Sequence, residues 1–561
     1  MNTLRITGGT VYDPANGIDG IVRDVCIADG QIVADVEAGR TINASGLIVF
    51  PGGVDVHTHV AGGALNFARG LVPELHRAAR TFQHGAMPPA GGRAGAAGSL
   101  RRAGLGGVTP TTFATGYLYA GMGWTTVNEA AVPILTAKHT HEELHDTPIV
   151  DKSCLLLMAN NEIVLDLLEA GEVERAQQVV GWLMWAAKVY GIKAVNPGGV
   201  AAWKWGRNAR ALHEPVEGYR RLTPAQIIAG LAGIVDQLDL PHPLHLHCNN
   251  LGIPGNVATT VETMQVLEGR RAHLAHLQFH AYDGEGWDSM RSGAVAVAEA
   301  FKAHPQLTAD AGAVLFGDAV TITADGPWQH LLYQLTGRKW GNLDVENETG
   351  CGIVPYVYKD RSVVNAVQWA VGLELLLLVD DPWRIFLTTD HPNGGCFWRY
   401  PEIVQLLMDV EARRAQIRKL PPAAQQRIML GDLDREYTLS EIAIITSAGP
   451  ARALGLPQKG HLGVGADADV TIYPAKPDRD GCLFSYPRYV IKGGAIVVEE
   501  GDVVAVSDGR EFVVRPVYDD GIEDYIRPLF EQVYTMSFEN YPVEIGRLRR
   551  PALMTLAAKR R

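Results

Sequence analysis

Two histidines at i and i+2 close the apolar run Pro51-Gly-Gly-Val-Asp-Val-His-Thr-His59. Alternate residues of a strand point to the same side, so His57 and His59 could grip one cation from a single strand end. Neutral imidazole is a common ligand for Zn²⁺ and similar divalent ions. Taken alone, such a pair reads equally well as a polar strand exit. Other apolar runs stop in the same way. Lys193 lies in Gly191-Ile-Lys-Ala-Val-Asn-Pro-Gly-Gly199, and His245 and His247 lie in Pro243-Leu-His-Leu-His-Cys-Asn-Asn250. His273, His276 and His280 lie in Ala272-His-Leu-Ala-His-Leu-Gln-Phe-His280, and Asp390 ends Arg384-Ile-Phe-Leu-Thr-Thr-Asp390. Singly, these are a hydrogen-bonded core histidine, a snorkelling lysine or an aspartate that starts a turn. Their joint occurrence at successive run ends points to one site.

The runs that position them alternate with helical patterns. Strands are expected at Val54–His57, Trp124–Asn128, Ser153–Met158, Ile192–Asn196, Leu244–Cys248, His273–Gln278, Leu307–Asp310 and Ile385–Thr389. Helical spacing falls between several of them, at Asn161–Tyr190, Pro224–Leu238, Asn256–Glu268 and Asp288–His304. Thr223-Pro224 suits an N-cap followed by a first-turn proline. Repeated βα units predict an α/β fold with a parallel sheet, and eight of them predict a closed (β/α)8 barrel with its site at the C-terminal strand ends. No Gly-x-Gly-x-x-Gly follows an early strand, which disfavours an open dinucleotide-binding sheet.

Short β-type runs with turns fill both ends of the chain. This predicts a small β-sandwich built from residues 1–50 and 446–516, with the barrel at 51–445 and a C-terminal extension at 517–561. Long insertions are expected near 61–115 and 316–360; such segments are commonly functional. The formal net charge of −12 and the lack of a basic stripe argue against nucleic acid. The six cysteines show no CxxC pairing, which points to a reducing compartment. No secretory pattern opens the sequence. The longest apolar run, Trp369–Val379, contains Glu374 and is too short for a bilayer. A cytoplasmic protein with no membrane partner is expected.

Val54-Asp-Val-His-Thr-His59, a mid-chain strand lysine, two later strand histidines and a final strand aspartate resemble the amidohydrolase superfamily. So does Lys459-Gly-His-Leu-Gly-Val-Gly-Ala-Asp-Ala-Asp-Val470, which looks like that superfamily's re-entry into its small β-domain. A narrower resemblance rests on Phe113–Gly123, Ile192–Gly199, His247–Gly252, His276–His280 and Thr389–Gly395. These are similar to the A subunits of formylmethanofuran dehydrogenase and of the bacterial formyltransferase/hydrolase complex. The arginine-over-lysine, alanine-rich composition leans towards the latter.

The resemblance implies a metal-dependent amidohydrolase acting on a linear formamide. Its metal ligands would be His57, His59, Lys193, His247, His276 and Asp390, holding two Zn²⁺ or similar ions bridged by N6-carboxylysine at Lys193. His247 is preferred to its strand-mate His245, and His276 to His273, as nearer the strand ends. Asp390, Lys193 and His280 would act in catalysis, His280 by contacting a ligand or the substrate. Asn249, Tyr117 and Asn393, with Tyr119, would contact the carrier. The substrate would be the N-formyl amide of a methanofuran- or methylofuran-type C1 carrier, cleaved to or formed from formate and the free amine. B, C and D type subunits would be partners. The competing readings are a dihydropyrimidinase-like cyclic amidohydrolase and a barrel retained as a non-catalytic scaffold.

Overall fold

The computed structural model describes residues 3–37, 39–77, 108–342, 352–477, 481–544 and 552–557. Eight parallel strands form the centre: β1 (Gly53–Thr58), β2 (Trp124–Val132), β3 (Asp151–Leu157), β4 (Gly191–Val195), β5 (Leu244–His247), β6 (Ala272–Leu274), β7 (Leu307–Asp310) and β8 (Ile385–Phe386). Each pairs in parallel with the next. The nearly closed ring is joined just past β8, where His59 N donates to His391 O at 2.8 Å and Thr58 bridges His391. Every strand overlaps an expected run. The His273–Gln278 run stops pairing early, because His276 takes φ +36° and turns the chain into a short 3-10 helix, Leu277–His280.

Helices cover the outside of the ring. Thr223 forms a capping box with Gln226, and Pro224 occupies the first turn. The Asn161–Tyr190 pattern is two helices, Glu162–Ala170 and Val173–Ala187, parted at Gly171 with φ +77°. Among the described residues, no helix is long and apolar enough to cross a membrane. Cys26, Cys154, Cys248, Cys396 and Cys482 are buried and unbridged.

A second sheet joins the two chain ends, with Val470–Pro474 running antiparallel to Leu47–Pro51. Its strands run from Asp502–Val503 at one edge through the N-terminal strand Thr3–Asp13 to Gln31–Val33. Ile6, Val11, Ile27, Val49, Ile472 and Ile491 fill its core. Two segments within the expected 446–516 range lie elsewhere. Residues up to Leu454 are helical. Arg510–Arg515 pairs with the barrel, parallel to Lys152 and Ser153 of β3. The reason is local: β3 meets β4 only from Leu155 onward, so its first residues offer a free edge.

Described parts of both insertions, Ala64 and Leu65 in one and Thr321–Ala324 in the other, line the cavity at the C-terminal face. In the first, the helix Gly63–Leu71 is described, residues 78–107 lie outside the described residues, and the helix Thr112–Met122 leads into β2. The second forms an antiparallel sheet of Gly317–Thr323, Gly352–Tyr358 and Gly341–Asn342 with the helix Gly326–Thr336.

A buried charge network ties β3 to the second sheet. Asp151 Oδ2 accepts from Lys492 Nζ at 2.7 Å and from Arg510 Nη2 at 2.9 Å. Lys459 pairs with Asp151 too, and donates to Asp469 Oδ2 at 2.6 Å. Burial alone would raise the Asp151 carboxyl, but these cations hold it well below the usual carboxylate range. Removing one partner of a buried pair strands the others, at a cost of about 3–5 kcal/mol. Asp151→Ala is therefore expected to lower the denaturant stability of the full chain by that amount; a loss below about 1 kcal/mol, the value of an exposed pair, would contradict the buried-network account.

Candidate active site

His59, Lys193, His247, His276 and Asp390 line one cavity of about 260 Å³ at the C-terminal strand ends. His57 lies behind them, with Nε2 at 2.9 Å from Lys193 Nζ and 3.1 Å from Asp390 Oδ1. His59 Nε2 is 3.0 Å from the same oxygen. The six residues named from the sequence thus surround one point, drawn from β1, β4, β5 and the turns after β6 and β8.

The far side of each first-strand imidazole faces a carboxylate. His57 Nδ1 lies 2.9 Å from Asp310 Oδ2, and His59 Nδ1 lies 3.0 Å from Glu129 Oε1. A neutral imidazole has one N–H, and a carboxylate only accepts. In its neutral form each ring would therefore direct a bare Nε2 at Asp390 Oδ1. Two such nitrogens, each about 3 Å from one carboxylate oxygen and all within 4.8 Å of one another, repel unless a cation or an added proton lies between them, so the donor set fits a metal ion. His247 Nε2 and His276 Nδ1 are likewise buried without a hydrogen-bond partner. The His247 and His276 rings meet edge to face at 4.7 Å.

Electrostatics agree with this geometry. Burial pushes Lys193 down to about 8, against the pull of Asp390 and Asp310. Burial would lower His59, but its hydrogen bonds to Asp390 and Glu129 prevail and raise it to about 9. Without a metal, a proton supplies the missing positive charge there. His276 is held well below its ordinary value by burial.

Strand register separates the paired candidates into two levels. Lys193, His245 and His273 share one register level, and His247 sits one strand-repeat above. Neither His245 nor His273 lines the cavity. His280 is fully buried, its ring 5.3 Å from both His247 and His276, with neither nitrogen partnered.

The expected carrier contacts need correction. Tyr117 packs against Val490, Val497 and Val498 of the second sheet and does not line the cavity. Its helix descends the outside of the barrel to Gly123, so that face meets the sheet. Tyr119 Oη donates to Asp55 Oδ2 at 2.7 Å and serves the core. Asn249 spends its amide on Asn196, Pro197 and Ala209, fastening the loop after β4. Asn393 does line the cavity, but its Oδ1 accepts from Ile322 N at 2.6 Å and anchors the second insertion.

Three acidic residues were missed. Asp310 ends β7, a signal that was available from its place at a run end. Glu129 falls one residue past the expected end of β2, where it also accepts from Val60 N and Ala61 N. Asp325 caps the helix Gly326–Thr336 and lies 3.4 Å from His247 Nε2. It sits inside an insertion, where no sequence pattern marks it.

A nearly closed parallel barrel with a histidine, lysine and aspartate cluster at its C-terminal mouth defines a metal-dependent hydrolase. The profile of the Amidohydrolase family matches residues 40–498, and the chain belongs to that family. It is 43% identical over 561 aligned residues to Protein FwdA of Methanocaldococcus jannaschii, covering 96% of each chain. It is 39% identical over 552 residues to the A component of the formyltransferase/hydrolase complex Fhc of Methylorubrum extorquens, again covering 96% of each. A chain of the crystal structure of the complex FhcABCD from that organism, determined with methylofuran, superposes with a TM-score of 0.91 at 37% identity, covering 99% of this chain and all of that one.

Glu129→Gln puts an amide where His59 Nδ1 and the backbone amides of Val60, Ala61 and Ala131 now meet a carboxylate. Metal affinity of the full chain, measured by chelator competition, is expected to fall about 10- to 100-fold, as is typical when the group behind a ligating histidine is changed.

Proposed function

We propose that the chain hydrolyses, or reversibly forms, the N-formyl amide of a methanofuran- or methylofuran-type C1 carrier, giving formate and the free amine. It would act as the A-type component of a formyltransferase/hydrolase complex with B, C and D type subunits, in the cytoplasm. The observation that carries this reading is the end-to-end likeness, at a TM-score of 0.91, to a complex determined with methylofuran. The cavity supports it: Phe279, Trp287, Trp328 and Tyr356 offer flat surfaces suited to a furan-bearing chain leading to the ligand cluster.

His57, His59, Lys193, His247, His276 and Asp390 would hold two divalent ions, Zn²⁺ by ligand type, with Lys193 as N6-carboxylysine. Such ions lower the pKa of a coordinated water and polarise a carbonyl oxygen. The depressed Lys193 amine is neutral in part near pH 8, the form that combines with CO₂. Carboxylation gives it two oxygens and a negative charge, which a single amine nitrogen lacks.

Asp390 would move the proton. Its carboxylate would take the proton from the attacking water and deliver it to the amide nitrogen, so that the leaving group is a neutral amine. The apolar walls keep bulk water from competing with the positioned nucleophile. In the formation direction the same carboxylate returns the proton. The motifs Phe113–Gly123, His276–His280 and Thr389–Gly395 leave the A subunit of a formylmethanofuran dehydrogenase as a second reading, in which formate condensation dominates.

Lys193→Ala and Asp390→Asn are each expected to abolish formate release from the N-formyl carrier while leaving the fold intact by circular dichroism. Activity of the purified complex on a cyclic amide alone would overturn the proposal.

A further inference from the structure

Three buried histidines that do not line the cavity lie beneath His57, and two of them form a chain. His242 Nδ1 is 2.8 Å from the carbonyl oxygen of Ala453, and His242 Nε2 is 3.0 Å from His245 Nδ1. His245 Nε2 is 3.2 Å from His57 Nδ1, which also lies 2.9 Å from Asp310 Oδ2. The third, His273, contacts the same Asp310 oxygen through Nε2 at 3.1 Å.

The direction of this chain follows from its ends. A carbonyl oxygen only accepts, so His242 carries its proton on Nδ1 and leaves Nε2 bare. His245 must then carry its proton on Nδ1 to donate to His242, leaving its own Nε2 bare. That nitrogen accepts from His57 Nδ1–H, which it shares with Asp310. The opposite polarity would set His242 Nδ1 lone pair against Ala453 O and His57 Nδ1 lone pair against Asp310 Oδ2. Both clashes are buried, where an unmatched polar contact is costly.

We propose that His242 and His245 are positioning residues that transmit the carbonyl of Ala453 as a tautomer lock, keeping His57 Nε2 unprotonated and aimed at the metal centre. The inference rests on the reading of His57 as a metal ligand. Asp310 supplies one acceptor for His57 Nδ1–H, but it shares Oδ2 with His273. The imidazole chain supplies the second and fixes the ring between them. It also explains why β5 carries histidines two residues apart: His247 reaches the cavity and His245 governs a ligand on β1.

The test uses the full chain with ¹⁵N-labelled histidine, whose ring shifts separate the two tautomers. In the metal-free protein His57, His245 and His242 are all expected as Nδ1–H; an Nε2–H form of any one overturns the proposal. Zn²⁺ affinity by chelator competition is expected to fall about 10- to 100-fold in His242→Phe, with both tautomers of His57 populated, and to stay within about threefold in His245→Gln, whose amide can accept from His57 and donate to His242. Unchanged affinity with a single His57 tautomer in His242→Phe overturns the lock and leaves Asp310 as sufficient. His57→Ala separates the two layers of the argument. Unaltered Zn²⁺ stoichiometry there removes the ligand reading and the proposal with it, whereas lost Zn²⁺ beside an unaffected His242→Phe removes the proposal alone. If His242→Phe does not fold, the wild-type spectrum and His245→Gln decide.

Discussion

His57 Nε2 and His59 Nε2 each lie about 3 Å from Asp390 Oδ1 in a buried cluster, and much of the surrounding structure serves to keep them there. Acceptors in a dry interior repel one another unless something positive lies between them. With an obligate acceptor behind each histidine, only a cation or an added proton relieves that repulsion. Glu129 stands behind His59 and Asp310 behind His57. Neither ring can escape by moving its proton to the other nitrogen. The barrel contributes the rest, because eight strands ending at one level bring residues more than three hundred positions apart to a single point.

Holding that point carries local strain. Asn196, His276 and Asp390 all have positive φ, at +41°, +36° and +48°, and all lie just beyond strand ends where the chain must leave the barrel. Non-glycine residues adopt this region at a cost, borne where the surroundings over-determine them. A side chain at Gly312 would come within 2.3 Å of His276 Cβ, so the turn after β7 must be bare for His276 to turn inward. The scaffold and the walls divide the labour. Barrel strands and their end turns supply the chemistry, while the second insertion supplies much of the apolar lining. Asp325 joins them, capping an insertion helix while lying beside His247.

Much of this was legible in the residues. Strand ends read as apolar runs stopping at His57, His59, Lys193, His247 and Asp390, since strand alternation is local and survives without knowledge of partners. Thr223 and Pro224 announced a helix start for the same reason. What failed depended on geometry beyond one element. Tyr117 and Tyr119 share a motif with no mark of where their helix runs, and the fold turns one towards the second sheet and the other into the core. Asn249 reads as a donor for a ligand, but its amide is consumed by a loop forty residues upstream.

By itself the sequence determined the barrel, its strand order and the residues at its mouth, because hydrophobic periodicity and residue type are written locally. Only the tertiary structure decided which nitrogen of each histidine faces the cavity. That choice is made by the acceptor behind each ring, and Glu129, Asp310 and the carbonyl of Ala453 come from elements that the sequence keeps far apart.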